Sequence, residues 1–169
     1  MTAAHQYCTF YLDGLFFGVE VQRVQEVIRY QELTRVPLAS RVVSGLINLR
    51  GQIVTAIDLR QRLGLSSRAA DKLPMNVVVR SDEGAVSMLV DEIGDVQEVD
   101  AASFEPAPQT LRGEARVLIR GAYKLEGRLL LVLDTERAIQ IPDERDERAL
   151  EPAPAASRSR NRPQTVSHN

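Results

Sequence analysis

The sequence predicts an all-β protein made of two copies of a five-stranded unit, either small barrels or a sandwich. Three observations carry that prediction. Apolar runs are many and short, with turn residues between them. One hairpin-and-helix pattern occurs twice, 76 positions apart. Where apolar residues fall at helical spacing (Val21, Val24, Val27 and Ile28) they are β-branched, which disfavours a long helix.

The repeated pattern is clearest in residues 45–64. Two strand-like runs, 45–49 and 53–57, flank a turn expected at Gly51 and Gln52. Asp58 is a helix N-cap, Gln61 stands three residues later as in a capping box, and Gly64 ends the short helix. Residues 121–134 repeat this without a gap: Gly45, Leu49, Gly51 and Asp58 have identical partners in Gly121, Leu125, Gly127 and Asp134. Ile57 pairs with Leu133 and Leu63 with Ile139, whereas Arg50 is replaced by Glu126, so Arg50 has a duty specific to the first half.

Taken in order, residues 7–12 and 15–21 form a hairpin around Asp13-Gly14. One helical turn near 21–24 leads into a strand at 25–29, and Pro37 closes that region. Residues 40–45 are expected to make another helical turn before the 45–64 unit, and the polar stretch 66–73 links the halves. A second hairpin covers 75–80 and 85–90 around Asp82-Glu83-Gly84. A strand is expected at 93–99, then a connection at 101–113 with two prolines, strands at 116–123 and 128–133, and a helix at 135–139. After Pro142 the chain turns charged, then rich in Pro, Ala, Ser and Arg. It cannot bury enough apolar surface to offset its ordering entropy, so 142–169 is expected to be a frayed helix and a disordered tail.

A net charge of −2 opposes a nucleic-acid or anionic-membrane role. No apolar run approaches a membrane span and no signal pattern opens the chain, so a cytoplasmic location is expected. Cys8, the single cysteine, is expected to be a buried strand residue. Catalysis needs a base, nucleophile or metal held by neighbours, yet His5 and His168 are both near the ends and no catalytic, phosphate-loop or metal motif is present. Asp91 and Glu92 point to opposite sides of an extended segment and cannot act as a pair. No enzyme, cofactor or metal is expected; the sequence points to an interaction module. Glu26 and Arg50, opposite charges in apolar strands, are expected to pair, because an unpaired buried charge is costly. That pair can be a plain structural bridge or can hold the shape of a docking surface.

Residues 6–141 resemble the CheW domain, the coupling module of bacterial chemotaxis. The matching pieces are Phe17-Gly18-Val19-Glu20-Val21, Val24-Gln25-Glu26-Val27-Ile28-Arg29, Leu33-Thr34-Arg35-Val36-Pro37, Gly45-Leu46-Ile47-Asn48-Leu49-Arg50-Gly51, Ile57-Asp58-Leu59-Arg60 and Leu89-Val90-Asp91-Glu92-Ile93. Thr55 stands where the family often has proline, and Ser87 where glycine is common. The resemblance implies two five-stranded SH3-like β-barrels around a shared core within 1–141, the first about 6–65 and the second about 75–141, intertwined. It implies an adaptor that joins methyl-accepting chemoreceptors to the histidine kinase CheA, performs no catalysis, and lies in the cytoplasm at receptor arrays. By the same resemblance, Val24, Glu26, Val27, Gly45 and Arg50, with Ile93 and Val96 from the second barrel, form the receptor side. Leu33, Thr34, Arg35 and Val36 form the kinase side. The other reading of each valine is ordinary core packing. A paralogue serving another receptor–kinase pathway, such as surface motility, is the alternative function. A single-strand-binding barrel is a further one that the charge disfavours.

Overall fold

The computed structural model describes residues 3–142. The chain opens with the hairpin β1 (Ala4–Leu12) and β2 (Leu15–Glu20), joined by Asp13 and Gly14, both at positive φ. A single 3-10 turn, Val21–Arg23, leads into β3 (Val24–Ile28). The first repeat unit is β4 (Val43–Leu49), β5 (Gln52–Asp58) and α1 (Leu59–Arg62). The hairpin β6 (Met75–Ser81) and β7 (Gly84–Val90) follows, then the short β8 (Glu92–Ile93) and β9 (Gln97–Asp100). After the 3-10 turn Ala101–Ser103 come α2 (Glu114–Leu118), β10 (Ile119–Leu125), β11 (Arg128–Leu133) and α3 (Thr135–Ala138).

The strands form two sheets. One has the order β10-β11-β2-β1-β8, with β9 also on β1; the other runs β3-β6-β7-β5-β4. Each repeat hairpin therefore docks on a hairpin from the other part of the chain. β5 runs parallel to β7, with Thr55 beside Val86 and Ala56 beside Ser87. β11 runs parallel to β2, with Leu131 beside Phe17 and Val132 beside Gly18. Neither sheet is drawn from one contiguous half of the chain, so the stretches 6–65 and 75–141 both contribute strands to each sheet.

The 76-residue repeat is reproduced in register as well as in residue type. Val43 opposes Ile57 and Gly45 opposes Ala56 across a bulge; Ile119 opposes Leu133 and Gly121 opposes Val132 across its counterpart. Isolated bridges complete the likeness, Thr34 to Leu46 in one sheet and Glu105 to Ala122 in the other.

Strand periodicity explains why so many strands lack a polar face. Along β1 and β2, Phe10, Leu12, Phe17 and Val19 face a central cluster, whereas Tyr7 and Phe16 face a second cluster with Tyr123, Leu130 and Val132. On the other sheet Val77, Val79, Met88 and Val90 join the central cluster, while Ile47, Val54, Ala56, Val78 and Leu89 form a third. One core thus lies within each sheet's curve and a shared core lies between them. Runs such as Leu129-Leu130-Leu131-Val132-Leu133 are apolar throughout because both of their faces are covered. The short helices send Leu59, Leu118 and Ala138 into the shared core. Arg62, buried between them, donates to Glu114 at 2.8 Å and to the Arg137 carbonyl at 2.9 Å, tying α1 to α2 and α3.

Several local expectations change. The turn in the first repeat is Arg50-Gly51, at φ +51° and +85°, because a two-residue hairpin of this twist needs two positive φ angles. Residues 40–45 hold a turn, not a helix: Val43 N–H donates to the Ser40 carbonyl and β4 has already begun. Asp58 caps α1 by accepting from Arg60 N–H, but Gln61 donates to Ser67 instead of closing a capping box. The strand expected at 93–99 is broken in two, since Gly94 N–H bonds the Thr9 carbonyl and a Cβ there would collide with the Thr9 hydroxyl. Residues 116–118 are helical, in α2, and the strand starts at Ile119. Cys8 is half-buried at the edge of the shared core, and burial raises its thiol pKa. The tail beyond Pro142 lies outside the described residues.

Candidate docking surfaces

Arg50 sits in the β4–β5 turn, whose geometry is fixed by the Gly51 N–H donating to the Asn48 side-chain oxygen at 2.9 Å. From there its guanidinium reaches β3 and donates to both oxygens of Glu26, at 3.1 and 2.7 Å. β3 and β4 are the two ends of the sheet order, so this ion pair spans the gap where the sheet curls toward closure. The Thr34–Leu46 bridge, with amide-to-carbonyl bonds of 2.9 and 2.8 Å, spans the same gap.

The expected pair therefore forms, but it is not buried. The Arg50 side chain is 76% exposed, whereas Glu26 is 17% exposed. A bidentate pair with one solvated partner contributes at most about 1 kcal/mol to folding. A double-mutant cycle of Glu26→Ala and Arg50→Ala, read by urea unfolding, should give a coupling below about 1 kcal/mol. A coupling several times larger would show that the pair is a structural strut.

The residues assigned to the receptor side divide by exposure. Val27 and Arg50 face solvent, and Val96 stands exposed in the break between β8 and β9. Val24 and Ile93 are half-buried and pack on the shared core from opposite sheets, which joins the two parts of the set. Gly45 is buried and offers no side chain; its place is to let the Thr34 backbone approach, since a Cβ would lie 2.6 Å from the Thr34 carbonyl oxygen. On the kinase side, Leu33 packs on the core of its sheet, Thr34 is pinned by its backbone bridge, and Arg35 and Val36 project outward. They border an open recess of about 550 Å³ with Tyr30, Arg41 and Val43. Ser87 does not crowd any groove: it is fully buried and donates to Asn76 at 2.8 Å, which in turn donates to the Arg29 carbonyl.

A second charged cluster escaped the sequence reading. Asp91, just after β7, accepts from Arg60 at 2.8 and 2.5 Å, from Arg68 at 2.9 Å and from the Asp13 amide at 2.8 Å. Its own amide donates to the Tyr11 carbonyl. The cluster thus links the β1–β2 turn of one sheet with α1 of the other. Burial disfavours the charged carboxylate, but the donors from Arg60, Asp13 and Arg68 outweigh it and hold the group below its ordinary pKa. The available signal was Arg60, two residues after the cap Asp58; its partner, far along the chain, had none.

None of these groups forms a nucleophile–base pair, and the perturbed titrations belong to packing. Burial, aided by a hydrogen bond with Tyr123, pushes the Tyr7 phenol well up. Among the described residues, no three His, Cys, Asp or Glu side chains are grouped to hold a metal ion, and no helix is long and apolar enough to cross a membrane. The arrangement presents two outward-facing surfaces, one at the Arg50–Glu26 pair and one at Arg35 and Val36.

Comparison with known proteins gives a consistent result. The chain is 31% identical over 130 residues to the chemotaxis protein CheW of Bacillus subtilis (strain 168), spanning 77% of this chain and 83% of that one. It is 26% identical over 117 residues to the protein PilI of Pseudomonas aeruginosa, spanning 69% and 66%. The crystal structure of the scaffolding protein TtCheW from Thermoanaerobacter tengcongensis superposes with a TM-score of 0.70 at 25% identity, covering 78% of this chain and 90% of that chain. The family described as the CheW-like domain matches residues 6–142, nearly all of the described chain, and the protein belongs to that family.

Proposed function

We propose that this chain is a non-enzymatic adaptor that couples methyl-accepting chemoreceptors to the histidine kinase CheA and so controls phosphotransfer without performing it. The observation that carries this reading is the presence of two solvent-facing surfaces: the Arg50–Glu26 pair that spans the gap between β4 and β3, and Arg35 with Val36 beside the recess. A receptor helix laid along the first, with Val24, Gly45, Ile93 and Val96 at its margins, is a familiar recognition mode. The kinase regulatory domain takes the second, at Leu33, Thr34, Arg35 and Val36. Holding both partners raises the effective concentration of each for the other. The adaptor acts in the cytoplasm, at receptor arrays beneath the membrane, with no membrane insertion of its own and no nucleic-acid partner.

The test is binding of purified CheA regulatory region and of a receptor-tip fragment to wild type, Arg50→Glu and Val36→Asp, with folding of each checked by circular dichroism. Val36→Asp should abolish kinase binding and spare the receptor; Arg50→Glu should do the reverse. A wild-type protein that binds no cognate kinase would remove the coupling role. The similarity to PilI favours a second reading in that event, a paralogue that scaffolds another receptor–kinase pathway such as surface motility.

A further inference from the structure

We propose that Leu38 is the anchor by which this chain grips the regulatory region of its kinase: an apolar knob, held out by a strained turn, that fills an apolar pocket rimmed with carboxylates. The inference rests on the placement of the kinase at 33–36 given above. Leu38 is 98% exposed, more than any other large apolar residue described; the next, Ile53, is 67% exposed. It also has φ +59°, the left-handed region that a leucine seldom adopts. Pro37 precedes it, and the Ala39 amide donates to the Val36 carbonyl, the pattern of a turn whose third residue is ordinarily glycine or asparagine. Two separate costs, backbone strain and full exposure of a large apolar side chain, meet in one residue. A glycine there would remove both. Strain kept at a surface position is a mark of a functional one.

The surroundings specify the partner. Val36, two residues before Leu38, and Tyr30 are 40% and 38% exposed and line the recess that Ala39 also borders. Arg35, exposed at the edge of the adjoining recess, sets a positive charge beside this apolar surface, and among the described residues that line the recess there is no carboxylate. A complementary partner surface is therefore apolar at its centre and acidic at its edge.

The experiment titrates purified CheA regulatory region into full-length wild type, Leu38→Gly, Leu38→Met and Val36→Asp, at low and high salt, with thermal unfolding of each variant alone. Leu38→Gly should unfold within a few degrees of wild type, because relief of the strain offsets the freedom that glycine adds to the unfolded chain, yet bind at least about tenfold more weakly. Leu38→Met should bind nearly as wild type, and wild-type binding should weaken with salt. If Leu38→Gly binds as tightly as wild type while Val36→Asp does not bind, the anchor is overturned and the kinase surface stands. If Leu38→Gly unfolds far below wild type, by more than glycine's added chain freedom explains, the residue has a structural role and the proposal fails. If wild type binds no kinase region, the coupling reading fails together with the anchor.

Discussion

Gly45→Ala should destabilise the protein by about 2–3 kcal/mol, from a clash and a backbone penalty that add. The new Cβ would sit 2.6 Å from the Thr34 carbonyl oxygen and 3.1 Å from its carbon, and these are backbone atoms that cannot rotate away. Gly45 also has φ +154°, which disfavours any side chain. The first bonds lost should be those between Thr34 and Leu46, because they lie directly at the clash. Urea unfolding should show the loss of stability, and hydrogen exchange should show the Thr34 and Leu46 amides opening ahead of the rest. The same change at Gly121 should cost a similar amount, from the clash alone. Its Cβ would meet the Glu105 carbonyl oxygen at 2.6 Å and the Phe104 ring, which packs on Tyr123, although Gly121 carries no positive-φ penalty. An unchanged urea midpoint for Gly45→Ala would mean that the Thr34 segment yields freely and that the bridge is not a closing element.

Asp91→Asn should cost about 3 kcal/mol at neutral pH. The substitution leaves Arg60 and Arg68, 14% and 9% exposed, facing an amide that cannot offset their charge. The cost sits at the lower end for a broken buried pair because Asp13 and Asp58 remain within 3.7 and 3.6 Å of the two arginines. The pH dependence follows from the depressed carboxyl. Its contribution is fully present above the unfolded value of about 3.9 and is lost as pH falls through the lower folded value. Unfolding free energies measured from pH 7 downward should therefore show wild type and Asp91→Asn far apart at neutral pH and converging in acid below about pH 4. A constant gap down to pH 2 would show that the carboxylate's charge is not what holds the two sheets together. Because this cluster joins the β1–β2 turn to α1, its loss should also loosen one sheet against the other.

The sequence by itself determined much of the local structure. Asp13-Gly14 and Gly51 marked the hairpins, Asp58 and Asp134 the helix starts, and the 76-residue repeat announced two related units, whose shared bulge the structure added. These signals are local: they rest on turn dihedrals, caps and period-two patterning, which a few neighbouring residues set alone. The Glu26–Arg50 pair was also legible, because Glu26 lay among strand valines and Arg50 was the one charge set at the core turn. What only the tertiary structure decided was which surfaces meet. That each repeat hairpin docks on a hairpin from elsewhere in the chain depends on parallel pairings between distant strands, and these leave no periodic trace. The clustering of Arg60 and Arg68 on Asp91, the closeness that requires Gly45, and the exposure of Leu38 come from the same source. Propensity tells each strand what it is. The closing of two curled sheets over one shared core sets which residues are covered and which are left for a partner.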